Sequence, residues 1–206
     1  MFHYSQYRST DDQLIRRFVD QFPLAIITSC VGGDWLSSHI PLFWASPNSN
    51  GELLGHADAA NAQFSNVVDL PVHLIFSGPN MYIPPEAYAT RQLPTWNYLA
   101  VHARATLNVE TDPARNLEIL SETARHLRST PSKFRVERDD QRVQRWIGSI
   151  RGVRIRVHEI EGRFKLSQDK APDDVISAAN YFSEKISQSI SPETLLEFSG
   201  LEQVFK

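Results

Sequence analysis

Residues 24–45 read LAIITSCVGGDWLSSHIPLFWA, two extended runs on either side of the four residues VGGD. The first run is rich in β-branched side chains, and the second continues as extended chain up to Ala45. A glycine pair between two such runs is typical of a hairpin turn. The stretch therefore predicts a β-hairpin with strands at 24–30 and 35–45.

A helix and further short strands flank the predicted hairpin. Thr10 followed by two aspartates marks a helix start, and apolar residues at three-and-four spacing predict a helix over 11–21 that ends near Pro23. Four elements follow before residue 80: a turn at 46–51, a strand at 52–57, a helical bridge around 59–68 and a strand at 71–78.

The remaining half of the chain contains long strands and helices. Its predicted elements are a surface loop at 78–95 with four prolines, a strand at 96–110, helices at 114–127 and 139–147, a strand at 152–160, a tight turn before residues 162–170 and a helical tail over 173–206. In the first of these helices Leu117, Leu120, Ala124 and Leu127 share one side. About six strands with few covering helices predict an α+β fold, an antiparallel sheet closed or partly closed into a small barrel.

Composition argues against several broad classes of protein. The 206 residues carry a net charge of -3, unlike a chain whose whole surface wraps nucleic acid. The single cysteine, Cys30, cannot form an internal disulfide, and the N-terminal sequence lacks a signal-peptide pattern. No apolar run approaches the length that spans a bilayer. These features predict a cytoplasmic protein with no membrane partner.

Motifs for three common kinds of chemistry are missing from the sequence. There is no G-x-S-x-G, and Cys30 has no histidine or asparagine placed beside it, which argues against nucleophilic catalysis. The glycines of VGGD and GPN belong to turns rather than to phosphate-binding loops. His39, His56, His73 and His102 lie on predicted strands without metal-ligand spacing, so hydrogen-bonded barrel histidines are favoured over a metal site.

Five polar and aromatic strings stand at the ends of predicted strands: SSHIPLF, GHADAANAQ, FSGPNMYIPP, LPTWNYLAVHA and KLSQDK. Polar side chains that interrupt apolar strands cost roughly 1 to 3 kcal/mol each when unpaired, so several together indicate a polar ligand or a water-lined pocket. In this order and spacing the strings resemble the PaiB family of FMN-binding split-barrel proteins, described as negative transcriptional regulators. The resemblance covers about the first 170 residues. Its strongest elements are PTWNY with Val101 and His102, Gly78-Pro79 with Tyr82, Ser38-His39 with Pro41, and KLSQ at 165–168 with Lys170.

This resemblance implies a six-stranded antiparallel split β-barrel with flanking helices, a homodimer, and FMN held at the dimer interface. The split-barrel domain is expected over residues 1–170, with a helical C-terminal extension packed on the same domain over 171–206. The functional class stays open between a flavin-binding regulator, an FMN-dependent oxidoreductase that uses NAD(P)H or O2 on a small molecule, and a dimer without flavin.

An FMN pocket needs cations and hydroxyls for the phosphate, aromatic walls for the ring and amides for its polar edge. On that chemistry Lys165, Ser167 and Lys170 are candidates for the phosphate. The other candidates are Trp96 and Tyr98 for the ring wall or the dimer interface, Asn61, Gln63, Asn97 and Gln168 for polar edges, and His39, His56 and His102 to orient them. Core or dimer packing is an equally open interpretation of the aromatic residues. For the lysines, the alternative interpretation is a solvated turn.

Two features that involve arginine bear on phosphate binding. Family members typically read G-H-x-A-R-A-N-P-Q where this chain has GHADAANAQ, so Ala59 stands in place of an arginine. Loss of that guanidinium weakens a phosphate contact by about 1.5 to 3 kcal/mol. Residues 135–156 carry seven arginines against three acidic residues, but no DNA-binding motif accompanies them, which favours a solvated helical face over a nucleic-acid surface.

Overall fold

The computed structural model describes residues 4–46, 51–65, 67–127, 136–137 and 139–186 of the chain. These residues form seven strands: β1 (Arg8–Ser9), β2 (Leu24–Val31), β3 (Asp34–Trp44), β4 (Glu52–Asp58), β5 (Leu70–Ile83), β6 (Thr95–Glu110) and β7 (Ile150–Lys165). The same residues form four α-helices: α1 (Asp12–Gln21), α2 (Pro113–His126), α3 (Gln141–Trp146) and α4 (Pro172–Ile186). Short 3-10 helices cover Ser5–Tyr7, Ala62–Phe64, Pro85–Ala87 and Ile147–Ser149.

Six of the strands close into a barrel. The sheet order is β1-β7-β4-β3-β2-β5-β6, and β6 also pairs with β7, which completes the ring. Strand pairs β2–β3, β2–β5, β3–β4 and β4–β7 are all antiparallel. Closure removes the unpaired edges that an open sheet would leave. The predicted α+β fold with a six-stranded antiparallel barrel is confirmed.

β2 and β3 form the predicted hairpin. Val31 pairs with Asp34, and the two residues between them, Gly32 and Gly33, have φ angles of 62° and 96°. A two-residue hairpin turn with positive φ at both central positions accepts glycine without steric penalty. Pairing continues along the full length of β2, so this local signal sets the register of the first two barrel strands.

The chain divides into two compact units, which are described separately. The barrel unit comprises residues 1–78 and 99–164, and the loop-helix unit comprises residues 79–98 and 165–206, each within the described parts of the chain. Large side chains that are fully buried in the barrel unit include Phe64, Phe76, Leu42, Leu53 and Ile155. Burial of one such side chain contributes about 1.5 to 3 kcal/mol. This apolar core holds the strands that carry the polar residues discussed below.

The predicted helical bridge at 59–68 is wrong. Within its described residues only Ala62–Phe64 is helical, as one 3-10 turn. Asp58 Oδ1 accepts a hydrogen bond from the backbone N–H of Ala60 at 2.8 Å, and Asn61 Oδ1 accepts one from the N–H of Gln63 at 3.0 Å. The bond from Asp58 closes a turn at 59–60, and Asn61 caps the 3-10 helix, so the helical part begins only at Ala62.

β5 and β7 are both longer than predicted. β5 continues to Ile83, so the predicted loop at 78–95 begins only at Pro84. β7 runs through Gly162 to Lys165, and the predicted tight turn before residue 162 is wrong. A Cβ at Gly162 would lie 2.6 Å from the ring of Phe164. Glycine at this position therefore permits close packing inside a strand and does not mark a turn.

The predicted helices are confirmed where the structure describes them. α1 and α3 match the predictions at 11–21 and 139–147, and Asp11 caps α1 by accepting from the N–H of Leu14 at 3.0 Å. α4 matches the start of the predicted tail, whereas residues 187–206 and most of the predicted turn at 46–51 lie outside the described residues.

α2 confirms the predicted helix at 114–127, but its buried side differs from the expected apolar stripe. The buried residues are Asn116, Ile119 and Thr123. Asn116 Oδ1 accepts from the N–H of Gly152 on β7 at 2.6 Å. The helix therefore docks on the sheet partly through a polar side chain, which a search for apolar periodicity does not detect.

Candidate functional site

Two of the predicted polar residues belong to the barrel unit near β3 and β4. His39 lies on β3, and Asn61 lies in the segment that follows β4. Asn61 Nδ2 donates to Ser38 Oγ at 2.9 Å, while Asn61 Oδ1 accepts from the N–H of Gln63. Ser38 immediately precedes His39, whose side chain is exposed. The structure thus brings an amide and a hydroxyl together, with an imidazole at the next position of the strand.

Gln63 makes its contacts inside the barrel unit. Its side chain is buried, and Nε2 donates to the backbone oxygen of Ile27 at 3.0 Å, to Ser29 Oγ at 2.9 Å and to the backbone oxygen of Leu36 at 3.3 Å. Among the described residues its Oε1 has no hydrogen-bond partner. The amide therefore ties the segment after β4 to both strands of the β2–β3 hairpin.

The four strand histidines have different surroundings. His39 is exposed, His56 Nδ1 lies 3.4 Å from Thr123 Oγ1, and His73 Nε2 lies 3.2 Å from His102 Nδ1. Burial lowers the pKa of His56, His73 and His102 below its usual range, so these rings are neutral at pH 7. The interpretation as hydrogen-bonded barrel histidines is confirmed for these three. Within the described ranges, no group of three or more His, Cys, Asp or Glu side chains could hold a metal ion.

Ser167 and Asn97 belong to a buried polar cluster in the loop-helix unit. Tyr88 Oη lies 2.9 Å from Ser167 Oγ, and Asn97 Nδ2 donates to the same oxygen at 3.0 Å. Ser167 has a φ of 65°, in the left-handed region. A non-glycine residue there costs on the order of 1 to 3 kcal/mol, which surrounding contacts must offset. The cluster supplies those contacts and so fixes the chain just after β7.

The lysine candidates of this unit have oxygen partners. Lys165 Nζ donates to Thr95 Oγ1 at 2.6 Å, and Lys170 Nζ lies 3.0 Å from Asp169 Oδ2. Both lysine residues are half-buried. A phosphate that binds the Lys165 ammonium would share it only with the neutral hydroxyl of Thr95. At Lys170 the phosphate would compete with the Asp169 carboxylate for the ammonium group. Lys165 is therefore the better placed of the two for an anion.

The aromatic and amide candidates of the loop-helix unit differ in exposure. Trp96 is 53% exposed, and its Nε1 donates to Asn80 Oδ1 at 3.2 Å. Tyr98 is half-buried, and Gln168 is exposed with its Oε1 accepting from the N–H of Leu166 at 2.6 Å. Trp96 thus presents an indole ring at the surface, in an orientation set by one hydrogen bond.

Asp174 is a buried polar residue that sequence reasoning missed. Its carboxylate accepts from the N–H and the Oγ1 of Thr90, both at 2.7 Å, and from Gln92 Nε2 at 2.8 Å. Hydrogen bonds from Thr90 hold the pKa of Asp174 below its usual range. The available signal was an aspartate in the first turn of a helix, but nothing in the sequence indicates partners more than 80 residues away.

Asp174→Asn is expected to loosen the segment around Thr90 at neutral pH. Because the folded-state pKa is depressed, the ionised carboxylate stabilises this unit above the pKa of the unfolded chain, and the contribution is lost as pH falls below about 4. Hydrogen exchange at the Thr90 amide measures the effect: protection in the wild-type chain is expected to fall through that window, and the variant to lack it throughout. Asp173→Asn, at an exposed neighbour, is the control, and an equal loss there would contradict the assignment.

Two of the five described arginines of the arginine-rich run, Arg142 and Arg154, are paired with acidic groups. Arg142 Nη2 lies 2.6 Å from Asp140 Oδ2, and Arg154 Nη2 lies 2.7 Å from a glutamate of β4. Positions 135 and 138 lie outside the described residues. The described contacts match the solvated, acid-paired face that the sequence favours over a nucleic-acid surface.

A closed six-stranded antiparallel barrel with flanking helices and polar clusters at strand ends defines the class of protein, a split barrel of the flavin-binding kind. Residues 1–159 match the family described as "Putative FMN-binding domain", and the chain belongs to that family. FMN, the predicted cofactor, is the cofactor that this description names. None of the helices in the described part of the chain is both long and apolar enough to cross a membrane.

The resemblance to the PaiB family is confirmed. The chain is 25% identical over 174 residues to "Protease synthase and sporulation protein PAI 2" of Bacillus subtilis (strain 168), an alignment that covers 83% of this chain and 84% of that protein.

Two solved structures share the fold. The flavocytochrome Anf3 from Azotobacter vinelandii has a TM-score of 0.56 and 15% identity, over 87% of this chain and 78% of that one. The FAD and heme binding protein from Mycobacterium smegmatis has a TM-score of 0.56 and 12% identity, over 84% and 80%.

Proposed function

We propose that this protein is an FMN-binding homodimer that acts as a regulator of the PaiB type. The observation that carries the proposal is membership of the FMN-binding-domain family over residues 1–159. The polar groups of each unit support the proposal as well. When bound, FMN supplies hydride or electron chemistry, so an oxidoreductase is the alternative that the same cofactor allows.

The donor chemistry of the barrel unit fits a flavin. The amide of Asn61, the hydroxyl of Ser38 and the imidazole of His39 occupy half-buried or exposed positions. Such groups hydrogen-bond to carbonyl oxygens, ring nitrogens or phosphate oxygens. The Gln63 amide holds the segment that carries Asn61, so we assign Asn61 and His39 as contacts and Gln63 as a positioning residue.

The donor chemistry of the loop-helix unit fits a phosphate and an aromatic ring. The Lys165 ammonium and the Thr95 hydroxyl lie 2.6 Å apart and offer a cation beside a hydroxyl. Trp96 offers an exposed ring face. The buried pair of Asn97 and Ser167 fixes the backbone two residues after Lys165 and acts as its support.

Exposed apolar side chains support the homodimer. Trp35 and Val68 are each 76% exposed in the barrel unit, and Leu93 is 81% exposed in the loop-helix unit. Large apolar and aromatic side chains are enriched in the cores of subunit interfaces. A second copy of the chain would remove such surface from water.

A titration with FMN tests the proposal. The purified chain is expected to shift the visible spectrum of FMN saturably and to sediment at twice the chain mass. Lys165→Ala is expected to weaken FMN binding about 10-fold, the value of a charge-assisted contact, and Lys185→Ala on α4 to leave it unchanged. Absence of binding at saturating FMN would overturn the proposal and leave a dimer without flavin.

Anaerobic addition of NADPH to the flavin-loaded protein separates the two functional classes. A regulator is expected to keep its flavin oxidised over minutes. Bleaching of the oxidised bands by NADPH, followed by their return in air, would instead assign the protein to the oxidoreductases.

A further inference from the structure

A cleft of about 630 Å³ in the barrel unit is lined by Ser5, by Arg8 of β1 and by residues of β5, β6 and β7. Three arginines and two glutamates line it together with His73 and His102, and the half-buried Ile160 adds apolar surface, whereas Ala103 is buried in the barrel core. Small-molecule sites typically measure about 300 to 1,000 Å³ and combine a few polar groups with apolar walls. The cleft therefore has the size of a site for an organic molecule rather than for a bare ion.

The charges that line this cleft do not cancel. Glu161 Oε2 lies 2.7 Å from Arg8 Nε and its Oε1 lies 2.6 Å from Arg163 Nη2, so one carboxylate is shared by two guanidinium groups. Arg104 and Glu159 form a looser pair at 3.6 Å, with both side chains 71% exposed. Three positive groups thus face two negative ones, and an excess positive charge in a partly desolvated cleft favours one anion.

The histidine pair adds a hydrogen-bond donor. His73 Nε2 and His102 Nδ1 lie 3.2 Å apart, so in the neutral pair one ring donates to the other. Either tautomer leaves one outer nitrogen, His73 Nδ1 or His102 Nε2, as an N–H donor and the other as an acceptor. Burial lowers the pKa of both rings, and the positive charge of Arg104 adds to this at His73. The pair therefore contributes directed hydrogen bonds and no net charge at pH 7.

We propose that this cleft binds a small organic carboxylate, held by its arginines and by the His73–His102 pair, at a site separate from the flavin. One carboxylate neutralises the excess charge, whereas a phosphate dianion would leave the cleft negative. The carbon body of the acid packs against Ile160. The proposal goes beyond the proposed function. His102 is the one residue of the cleft that the sequence also offers as a flavin candidate, and the proposal assigns it to this cleft instead, whereas His73, Arg104 and Glu159 take no part in the flavin assignments.

Acetate is the probe for this site. The histidine ring resonances of the full chain are followed by NMR at pH 7.5 as sodium acetate replaces sodium chloride at constant ionic strength. The rings of His73 and His102 are expected to shift saturably. His158, which bonds to Thr106 at 2.6 Å outside the lining of the cleft, is expected to stay in place.

Charge variants make the test sharper. Glu159→Gln removes a carboxylate that competes with the ligand and is expected to tighten acetate binding about 3-fold, while Arg104→Gln weakens it about 3-fold. Arg154→Gln is the matched control, because it removes an exposed arginine of β7 that pairs outside the cleft, and it is expected to change the affinity by less than about 1.5-fold. A variant that binds more tightly cannot owe its effect to misfolding, so Glu159→Gln keeps the proposal falsifiable.

Three results would overturn the carboxylate site. One is an equal response of the histidine rings to chloride and acetate, and another is a Glu159→Gln chain that gains no affinity. Inorganic phosphate that binds more than about 10-fold tighter than acetate would assign the cleft to a phosphorylated ligand instead. Displacement of acetate by saturating FMN would make the cleft part of the flavin site, whereas acetate binding with no FMN binding would reject only the flavin proposal.

Discussion

Replacing Ala59 with arginine is expected to tighten FMN binding about 10- to 100-fold, because a guanidinium adds charge-assisted and bidentate hydrogen bonds to a phosphate. Ala59 is the residue of the string GHADAANAQ that corresponds to the arginine of the pattern G-H-x-A-R-A-N-P-Q, which the resemblance to the PaiB family implies. It directly follows β4 and is half-buried, and its N–H donates to the backbone oxygen of Ser149 at 2.9 Å. A new side chain would therefore start from a fixed backbone position two residues before Asn61. Calorimetric titration of both proteins with FMN measures the difference.

Two controls separate phosphate recognition from added positive charge. Ala60→Arg places the same charge one residue further along, at an exposed position, and is expected to tighten FMN binding less than about 3-fold. Riboflavin lacks the phosphate, so Ala59→Arg is expected to leave its affinity unchanged. An equal gain for riboflavin, or none for FMN, would show that this position does not face the phosphate.

Local sequence signals predicted most of the barrel because the elements they describe are set by neighbouring residues. The hairpin at 24–45 is an example, since its turn glycines and its β-branched strand are adjacent in sequence. β7 shows where such reasoning ends. The side chains that pack on the core change from odd positions at Val153 and Val157 to even positions at Ile160 and Phe164. A single alternation does not describe this change of phase, and the strand was predicted to end too early because Gly162 was interpreted as part of a turn.

The candidate site was predictable as residue types but not as contacts. A polar residue at the end of an apolar strand indicates that it needs a partner, and the sequence alone does not say whether that partner is a ligand or protein. For Asn97 the partner is Ser167, 70 residues away, and for His73 it is His102 on a strand that neighbours its own. These pairings depend on which segments the fold brings together, and no spacing within one strand encodes that.

Gln63→Ala is expected to lower the free energy of unfolding by about 2 to 4 kcal/mol. The substitution removes the amide N–H donors from two buried acceptors, the backbone oxygen of Ile27 and the Oγ of Ser29, and from the part-buried backbone oxygen of Leu36, and it leaves a void in a closed barrel. A buried acceptor that loses its donor keeps the full penalty of desolvation, and water cannot enter a filled core to compensate. Urea unfolding followed by tryptophan fluorescence measures the change.

The control for this substitution is Gln13→Ala on the exposed side of α1, which is expected to change stability by less than about 0.5 kcal/mol. Gln63→Glu keeps the shape of the side chain but places a carboxylate against the same acceptors, so it is expected to destabilise the chain at least as much as alanine does. FMN affinity of the folded Gln63→Ala protein then distinguishes a residue that positions Asn61 from a residue that contacts the flavin itself. If the variant unfolds like the wild-type chain but binds FMN more weakly, Gln63 contacts the flavin directly and its assignment as a positioning residue is wrong.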